Sequence, residues 1–79
     1  MSIKVLFFAS LREQLGQSEV VLPIEPGETV SQVWERVSEG HSVATRVLHS
    51  INMQYVEPDA PVNDGDEVAF FPPVTGGAQ

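Results

Sequence analysis

From residue 3 to residue 9 the sequence runs Ile-Lys-Val-Leu-Phe-Phe-Ala, a segment in which only Lys4 is polar. Because side chains alternate between the two faces of a strand, both faces of this segment carry large apolar groups. Such a pattern is typical of a strand inside a sheet. We therefore predict a central strand over residues 3–9, with Ile3, Val5 and Phe7 on one face and Leu6 and Phe8 on the other.

An amphipathic helix is predicted after the turn at Pro26-Gly27. The segment Thr29-Val30-Ser31-Gln32 fits a capping box, in which the threonine caps the helix and the glutamine reaches back. The apolar residues that follow recur at the spacing of one helix face, namely Val30, Val33, Trp34 and Val37. This spacing predicts a helix over residues 30–39, ended by Gly40.

The remaining predicted elements are shorter. Ser10 is a candidate N-cap for a short helix that Gly16 ends, and Pro23 indicates an edge position for a strand over 18–24. Residues 41–46 are open between a further helical turn, capped by Ser42, and a loop. The other predictions are strands at Val47–Ile51, Tyr55–Val56 and 67–71, a turn at Asn52, a loop over 57–61 and a tight turn over 63–66.

The order of these elements predicts the fold class. A mixed sheet of about five strands, packed on one main helix, is the simplest layered arrangement of them. With a right-handed crossover, this order gives an α+β fold, the β-grasp or ubiquitin-like roll.

Composition limits the functions that such a fold serves. The 79 residues form one small domain with little core for a deep pocket, which favours a carrier, adaptor or subunit over an independent enzyme. The 11 acidic and 4 basic residues give a net charge of −7, which argues against nucleic acid and anionic membranes as partners. The absence of cysteine excludes disulfides, thiolate metal sites and a cysteine nucleophile. The apolar opening is too short to span a membrane, and we expect a cytoplasmic protein.

Metal binding is weakly supported. His41 and His49 have no cysteine near them to complete a zinc site. Asp64, Asp66 and Glu67 lack the twelve-residue ligand pattern of a calcium loop. We interpret both groups as solvated side chains and predict no metal site.

The first candidate site is the face of the sheet that the main helix leaves uncovered. Phe8 and Phe71, with Leu6 beside them, are expected to lie partly open on this face. An exposed aromatic patch on a small protein marks a surface for a partner. The alternative is that the short helix or the loop over 57–63 covers the patch.

The second candidate site is the segment Pro72-Pro73-Val74-Thr75-Gly76-Gly77-Ala78-Gln79. Two prolines hold an extended backbone and cannot continue a sheet, so we divide the chain into a domain over 1–73 and a flexible tail over 74–79. From Phe71 to Gly77 an extended tail spans roughly 20 Å. Two glycines without side chains can thread a narrow channel in another protein, as a carrier requires. The alternative is a frayed, glycine-rich end.

These segments resemble the ubiquitin-like sulfur carriers that form the small subunit of molybdopterin synthase. The strongest likeness is continuous from Asp64 to Gly77, which reads Asp-Gly-Asp-Glu-Val-Ala-Phe-Phe-Pro-Pro-Val-Thr-Gly-Gly. The opening segment over 3–9 and the Leu11-Arg12-Glu13 that follows are also similar. The middle of the chain is similar only in its helix pattern and in Asn52.

The resemblance implies the chemistry of a sulfur carrier. An adenylyltransferase related to ubiquitin-activating enzymes would use Mg-ATP to convert the terminal glycine carboxylate to an acyl adenylate. A sulfur donor protein would convert the adenylate to a thiocarboxylate. The tail would then deliver sulfur to cyclic pyranopterin monophosphate in the large synthase subunit. The chain itself would be the non-catalytic, sulfur-donating subunit and would bind no cofactor.

The resemblance also implies a role for each site residue. Gly77 would carry the sulfur, and the residues passing the partner's channel would be Val74, Thr75 and Gly76. The surface that docks on partners would comprise Phe8, Tyr55, Phe71, Pro72 and Pro73.

Ala78 and Gln79 depart from the family, in which the two glycines end the chain. They hold the Gly77 carbonyl in an amide, which cannot be adenylated until both residues are removed. We expect a precursor extension that a protease removes, or an addition from cloning, because exposed chain ends are where cleavage concentrates. The alternative is a divergent relative.

Two other functions stay open at this point. The chain could serve as a sulfur carrier of another pathway, thiamin or cysteine biosynthesis, or as a protein modifier. It could also be a non-catalytic ubiquitin-like binding module with a blocked tail. The Phe-Phe-Pro-Pro-Val-Thr stretch over 70–75 favours the molybdopterin pathway.

Overall fold

The computed structural model describes residues 1–39 and 47–72. The predictions for Gly40, for residues 41–46 and for residues 73–79, including the tail boundary, lie outside these residues. The described chain forms, in order, β1 Ser2–Phe7, α1 Ser10–Leu15, β2 Glu19–Pro23, α2 Val30–Val37, β3 Leu48–Ile51, β4 Gln54–Tyr55 and β5 Glu67–Phe71.

The five strands form one mixed sheet in the order β2-β1-β5-β3-β4. Strands β1 and β5, the two segments that are apolar on both faces, lie parallel inside the sheet, and the other neighbours are antiparallel. Strand β2 is an edge strand, and Pro23 at its end pairs with Ser2, as the proline predicts. The arrangement is α+β and matches the predicted β-grasp.

The core lies between the sheet and the helices. Phe70 is fully buried there, with its ring centroid 6.2 Å from that of Phe7 and 4.9 Å from that of Trp34. Burial of these rings accounts for a large part of the folding free energy, because each removes an extensive apolar surface from water. The other core side chains from the two central strands and α2 are Ile3, Val5, Val30, Val33, Val37 and Val68.

The capping box at the start of α2 is present as predicted. The Gln32 backbone N–H donates to Thr29 Oγ1 at 3.3 Å, and the Thr29 N–H donates to Gln32 Oε1 at 2.9 Å. The helix ends at Val37, however, and not at residue 39. Both the backbone N–H and the hydroxyl of Ser38 donate to the Trp34 carbonyl, at 2.9 and 2.6 Å. A serine side chain that competes for a helix carbonyl in this way favours the end of the helix.

The junction between β1 and α1 also differs from the prediction. β1 ends at Phe7, and Ala9, not Ser10, occupies the N-cap position, with no side-chain hydrogen bond. Ala9 has φ 54, which non-glycine residues rarely adopt. The Leu11 N–H donates to the Phe8 carbonyl at 3.1 Å. This turn reverses the chain within three residues, so that Phe8 is exposed whereas Leu11 is buried in the core. Gly16 ends α1 in the left-handed conformation, as predicted.

Smaller corrections concern strand ends. β2 covers Glu19–Pro23 instead of 18–24, β3 begins at Leu48, and β4 is Gln54–Tyr55 instead of Tyr55–Val56. The last shift follows from a two-residue hairpin turn, which pairs Ile51 with Gln54. Within the part of the chain that the structure describes, no helix is long and apolar enough to cross a membrane.

Candidate functional site

Among residues 1–39 and 47–72, none forms a layer over one face of the sheet. Both helices pack on the opposite face, where Leu11 and Leu15 of α1 join the core. The loop after β4 lies on that side too, because Val62 is buried in the core and the Val30 N–H donates to the Ala60 carbonyl at 2.9 Å. Neither the short helix nor this loop therefore covers the aromatic residues, and the alternative considered for them is wrong.

Three aromatic side chains form a row across this open face. The ring of Phe71 lies between the other two, 6.3 Å from Phe8 and 5.5 Å from Tyr55 between centroids, both in edge-to-face geometry. Phe8 is 46% exposed and Tyr55 is 73% exposed, whereas Phe71 is half-buried. Contact between rings gives the row a defined shape, and its exposed area is available to another molecule.

The row borders a shallow depression of about 240 Å³. We call this surface the apolar sheet face and define it by the residues that line the depression: Leu6, Phe8, Ser50, Met53, Tyr55, Glu67, Ala69 and Phe71. The lining comes from β1, β3, β4 and β5, from Phe8 directly after β1, and from the β3–β4 turn. A depression this open and shallow suits contact with a protein surface better than enclosure of a small molecule.

The structure brings together the predicted docking residues Phe8, Tyr55 and Phe71. Pro72 follows directly and is half-buried, so the chain leaves the sheet from the middle of the aromatic row. Pro73 and the predicted tail residues Val74, Thr75, Gly76 and Gly77, with Ala78 and Gln79, lie outside the described residues. Their roles stay predictions.

Met53 is a large apolar lining residue that the sequence reasoning missed, as it also missed Ser50 and Glu67. It follows Asn52, which the sequence identifies as a turn residue, and it is 90% exposed. The available signal was an apolar side chain placed directly after a turn asparagine. Sequence alone does not say which face of the sheet such a side chain borders, because the hairpin register decides that.

The acidic turn before β5 has a structural role. Asp66 accepts hydrogen bonds from the Asn63 N–H at 2.8 Å and from Asn52 Nδ2 at 3.0 Å, and the Glu67 N–H donates to Asn52 Oδ1 at 3.0 Å. Asp64 accepts from the Ser2 N–H at 2.9 Å. These bonds hold the start of β5 to β1 and to the β3–β4 turn, and so position one end of the apolar sheet face.

A buried carboxylate lies on the other side of the molecule. Glu28 is 8% exposed, accepts from the Glu25 N–H at 3.0 Å and forms an ion pair with Arg36 at 2.7 Å. The Glu25 N–H, with a further contribution from Arg36, lowers the pKa of Glu28 against the opposing effect of burial. The pair borders a wide, open hollow between the end of β2 and α2, and it is remote from the aromatic row.

Among residues 1–39 and 47–72, no three His, Asp or Glu side chains are grouped in a way that would hold a metal ion. His49 is half-buried, with its ring 6.4 Å from that of Phe70 in edge-to-face geometry. His41 lies outside the described residues.

Comparison with known proteins gives consistent results. Residues 5–77 match the ThiS family. The molybdopterin synthase sulfur carrier subunit of Escherichia coli K12 is 44% identical over an alignment of 80 positions, gaps included, which covers 95% of this chain and 99% of that protein. The family match therefore covers most of the described residues and also Val74 to Gly77 of the predicted tail.

Solved structures show the same fold. SAMP1 from Haloferax volcanii superposes with a TM-score of 0.78 at 24% identity, covering 98% of this chain and all of that one. A chain in the complex of subunits 1 and 2 of the molybdopterin-converting factor from Helicobacter pylori superposes with a TM-score of 0.64 at 17% identity, covering 98% and 100%. At these identities the likeness concerns the fold.

Proposed function

The chain belongs to the ThiS family, and from this premise we propose that it is a sulfur carrier in molybdenum cofactor biosynthesis, the small subunit of a molybdopterin synthase. The observation that carries the proposal is the 44% identity over nearly the whole length to a sulfur carrier subunit of that enzyme. The uncovered aromatic row at the root of the Gly-Gly tail supports it, because a carrier needs a docking surface from which its tail can reach a partner's active site.

In this proposal, one part of the chain docks on the partner and another part carries the sulfur. The apolar sheet face binds the partner through Phe8, Tyr55 and Phe71, and Pro72 and Pro73 lead the chain away from the sheet. Val74, Thr75 and Gly76 then pass a channel in the partner, where a chain without bulky side chains fits closely. Gly77 carries the sulfur at its carboxyl carbon.

The proposed cycle begins with removal of the residues after Gly77, by hydrolysis of the Gly77–Ala78 peptide bond. The freed carboxylate attacks the α-phosphorus of Mg-ATP in an adenylyltransferase related to ubiquitin-activating enzymes, and pyrophosphate leaves. Hydrosulfide, which is sulfur at the sulfide oxidation level supplied by a donor protein, then attacks the acyl carbon; AMP leaves as the C–O bond breaks, and the product is the thiocarboxylate. Because this cycle consumes ATP, we propose the cytoplasm as its compartment.

The large synthase subunit is the proposed acceptor of the tail. The structure from Helicobacter pylori, a complex of subunits 1 and 2 of a molybdopterin-converting factor, supports a partner of this kind. Delivery of two sulfur atoms to cyclic pyranopterin monophosphate would build the dithiolene of molybdopterin. The described residues include no buried acid or base on the apolar sheet face, so we assign proton transfers to the partner.

The proposal is tested with a chain that ends at Gly77, incubated with the adenylyltransferase, a sulfur donor protein and Mg-ATP. We expect an increase in intact mass equal to the replacement of one oxygen by sulfur, and formation of molybdopterin when the large subunit and the pterin are added. The full chain ending at Gln79 should gain no sulfur. Gly77→Phe in the shortened chain should also abolish sulfur transfer while leaving the melting temperature unchanged.

Binding to a thiazole synthase separates this pathway from thiamin biosynthesis. A chain that acquires sulfur but binds the thiazole synthase and not the large synthase subunit would contradict the pathway. A chain ending at Gly77 that acquires no sulfur would contradict the carrier function itself.

A further inference from the structure

The β3–β4 turn carries a side chain that the fold does not explain. Asn52 and Met53 are its two central residues and have φ values of 50 and 72. This is the type I′ geometry, for which Asn-Gly is the preferred pair. Asparagine tolerates the left-handed conformation, and its side chain bonds to Asp66 and Glu67. Methionine at the second position is strained, because in the left-handed conformation its Cβ lies too close to the following carbonyl oxygen.

The strain at Met53 is not offset by burial of its side chain. Its side chain is 90% exposed, more than that of any other large apolar residue in the described parts of the chain. It lines the same depression as Tyr55 and Phe71, at the far end of the apolar sheet face. A thioether chain is flexible and adapts to irregular apolar surfaces. Both strain and exposure are unfavourable in the free domain, so a contact made only in a complex would account for this side chain.

The route of the chain indicates what covers this end of the face. β5 ends at Phe71, within the aromatic row proposed as the docking surface, so a partner that binds this row lies on the face along which β5 runs back to Glu67. Phe71 and Glu67 are the two ends of β5, and the Asn52 N–H donates to the Glu67 carbonyl at 2.8 Å. At about 3.3 Å per residue, the turn therefore lies roughly 13 Å from the root of the tail.

We propose that Met53 inserts into an apolar pocket of the large synthase subunit, so that the β3–β4 turn is a second docking anchor besides the aromatic row. The inference rests on the proposed function, which supplies the partner. It extends the contact along the whole length of β5, from Phe71 to the turn.

The test compares Met53→Ala, Met53→Gly and Met53→Leu by calorimetric titration with the large subunit, in the full chain and in the chain ending at Gly77. Met53→Ala removes the side chain and keeps the backbone strain, whereas Met53→Gly removes both. We expect each to bind about tenfold more weakly than the parent, the effect typical of an interface anchor. Met53→Leu should bind within about threefold of the parent, since it preserves apolar volume.

Melting temperature separates docking from folding. Met53→Gly should melt no lower than the parent, and up to roughly 5 °C higher, because glycine relieves the left-handed strain. Val21→Ala is the matched control: Val21 is 61% exposed on edge strand β2, outside the depression, and its loss should leave binding unchanged.

Each contrary result is distinguishable. If the parent binds the large subunit and all Met53 variants bind equally well, the anchor is overturned and the proposed function stands. If Met53→Gly melts well below the parent, a structural role replaces the docking role. If the parent itself does not bind in either form, both the anchor and the proposed function are overturned.

Discussion

At the scale of the residue, Phe71 connects the fold to the proposed function. Its ring contacts both Phe8 and Tyr55, and its backbone pairs with Leu48 in β3. The next residue, Pro72, has no N–H with which to continue the sheet. One half-buried ring thus organises the aromatic row at the point where the chain departs for the tail.

A charge at this position should disrupt docking more than folding. We expect Phe71→Glu to weaken binding to the large subunit at least about tenfold, because a carboxylate would have to be buried unpaired in the interface. Titration calorimetry measures the affinity, and far-UV circular dichroism checks the fold. Val21→Glu, on the same face of the sheet but outside the depression, is the control. Undiminished binding of the Phe71 variant would show that the partner does not cover the aromatic row.

At the scale of the element, side-chain and backbone hydrogen bonds join the acidic turn over 63–66 to two neighbouring segments. Asp66 bonds to the Asn63 backbone and to Asn52, and the Lys4 N–H donates to the Asp66 carbonyl at 3.0 Å. The turn therefore links β1, β5 and the β3–β4 hairpin. Asparagine and aspartate side chains often bond to nearby backbone groups where the chain reverses. These bonds replace the backbone hydrogen bonds that a sheet would otherwise provide.

Removing this link should destabilise the domain. We expect Asp66→Ala to lower the free energy of unfolding by about 0.5–1.5 kcal/mol, because it removes two exposed hydrogen bonds that hold the turn, from the Asn63 N–H and from the Asn52 amide. Urea denaturation followed by tryptophan fluorescence measures the change, since Trp34 packs on the buried Phe70. The matched control is Asp59→Ala, at an exposed loop carboxylate. Equal midpoints for the two variants would refute a structural role for the acidic turn.

At the scale of the whole molecule, charge and shape act together. The chain carries a net charge of −7, and its apolar sheet face lies opposite the helices. Apolar contact provides affinity without long-range attraction, whereas net charge acts over about 10 Å at moderate salt. The proposed partners should accordingly present basic groups around an apolar patch.

Association with the large subunit should therefore depend on salt. Raising the ionic strength from about 0.05 to 0.5 M should slow association by about tenfold and change dissociation little, because screening weakens steering but not apolar contact. Stopped-flow fluorescence measures both rates. An association rate that does not change with salt would show that the partner's docking surface is not basic.

The sequence by itself determined the elements whose signals are local. The nearly continuous apolar run over residues 3–9, the capping box at Thr29 and the prolines at 23 and 72 predict a central strand, a helix start and two strand limits, because each depends on near neighbours. The motif from Asp64 to Gly77 likewise indicates the sulfur carrier family and its chemistry, because its residues are adjacent in the chain. The structure differs from these predictions only at the ends of helices and strands. There the Ser38 side chain or a tight turn takes hydrogen bonds that would continue the element.

Only the tertiary structure decided which side chains share a surface. The parallel pairing of β1 with β5 sets Phe8 beside Phe71, and the hairpin register adds Tyr55 and Met53 to the same face. These partners are far apart in the sequence, and a shift of one residue in register would turn each side chain to the other face. The strain at Ala9 and Met53 was equally invisible, because backbone conformation at a junction is imposed by the elements that meet there.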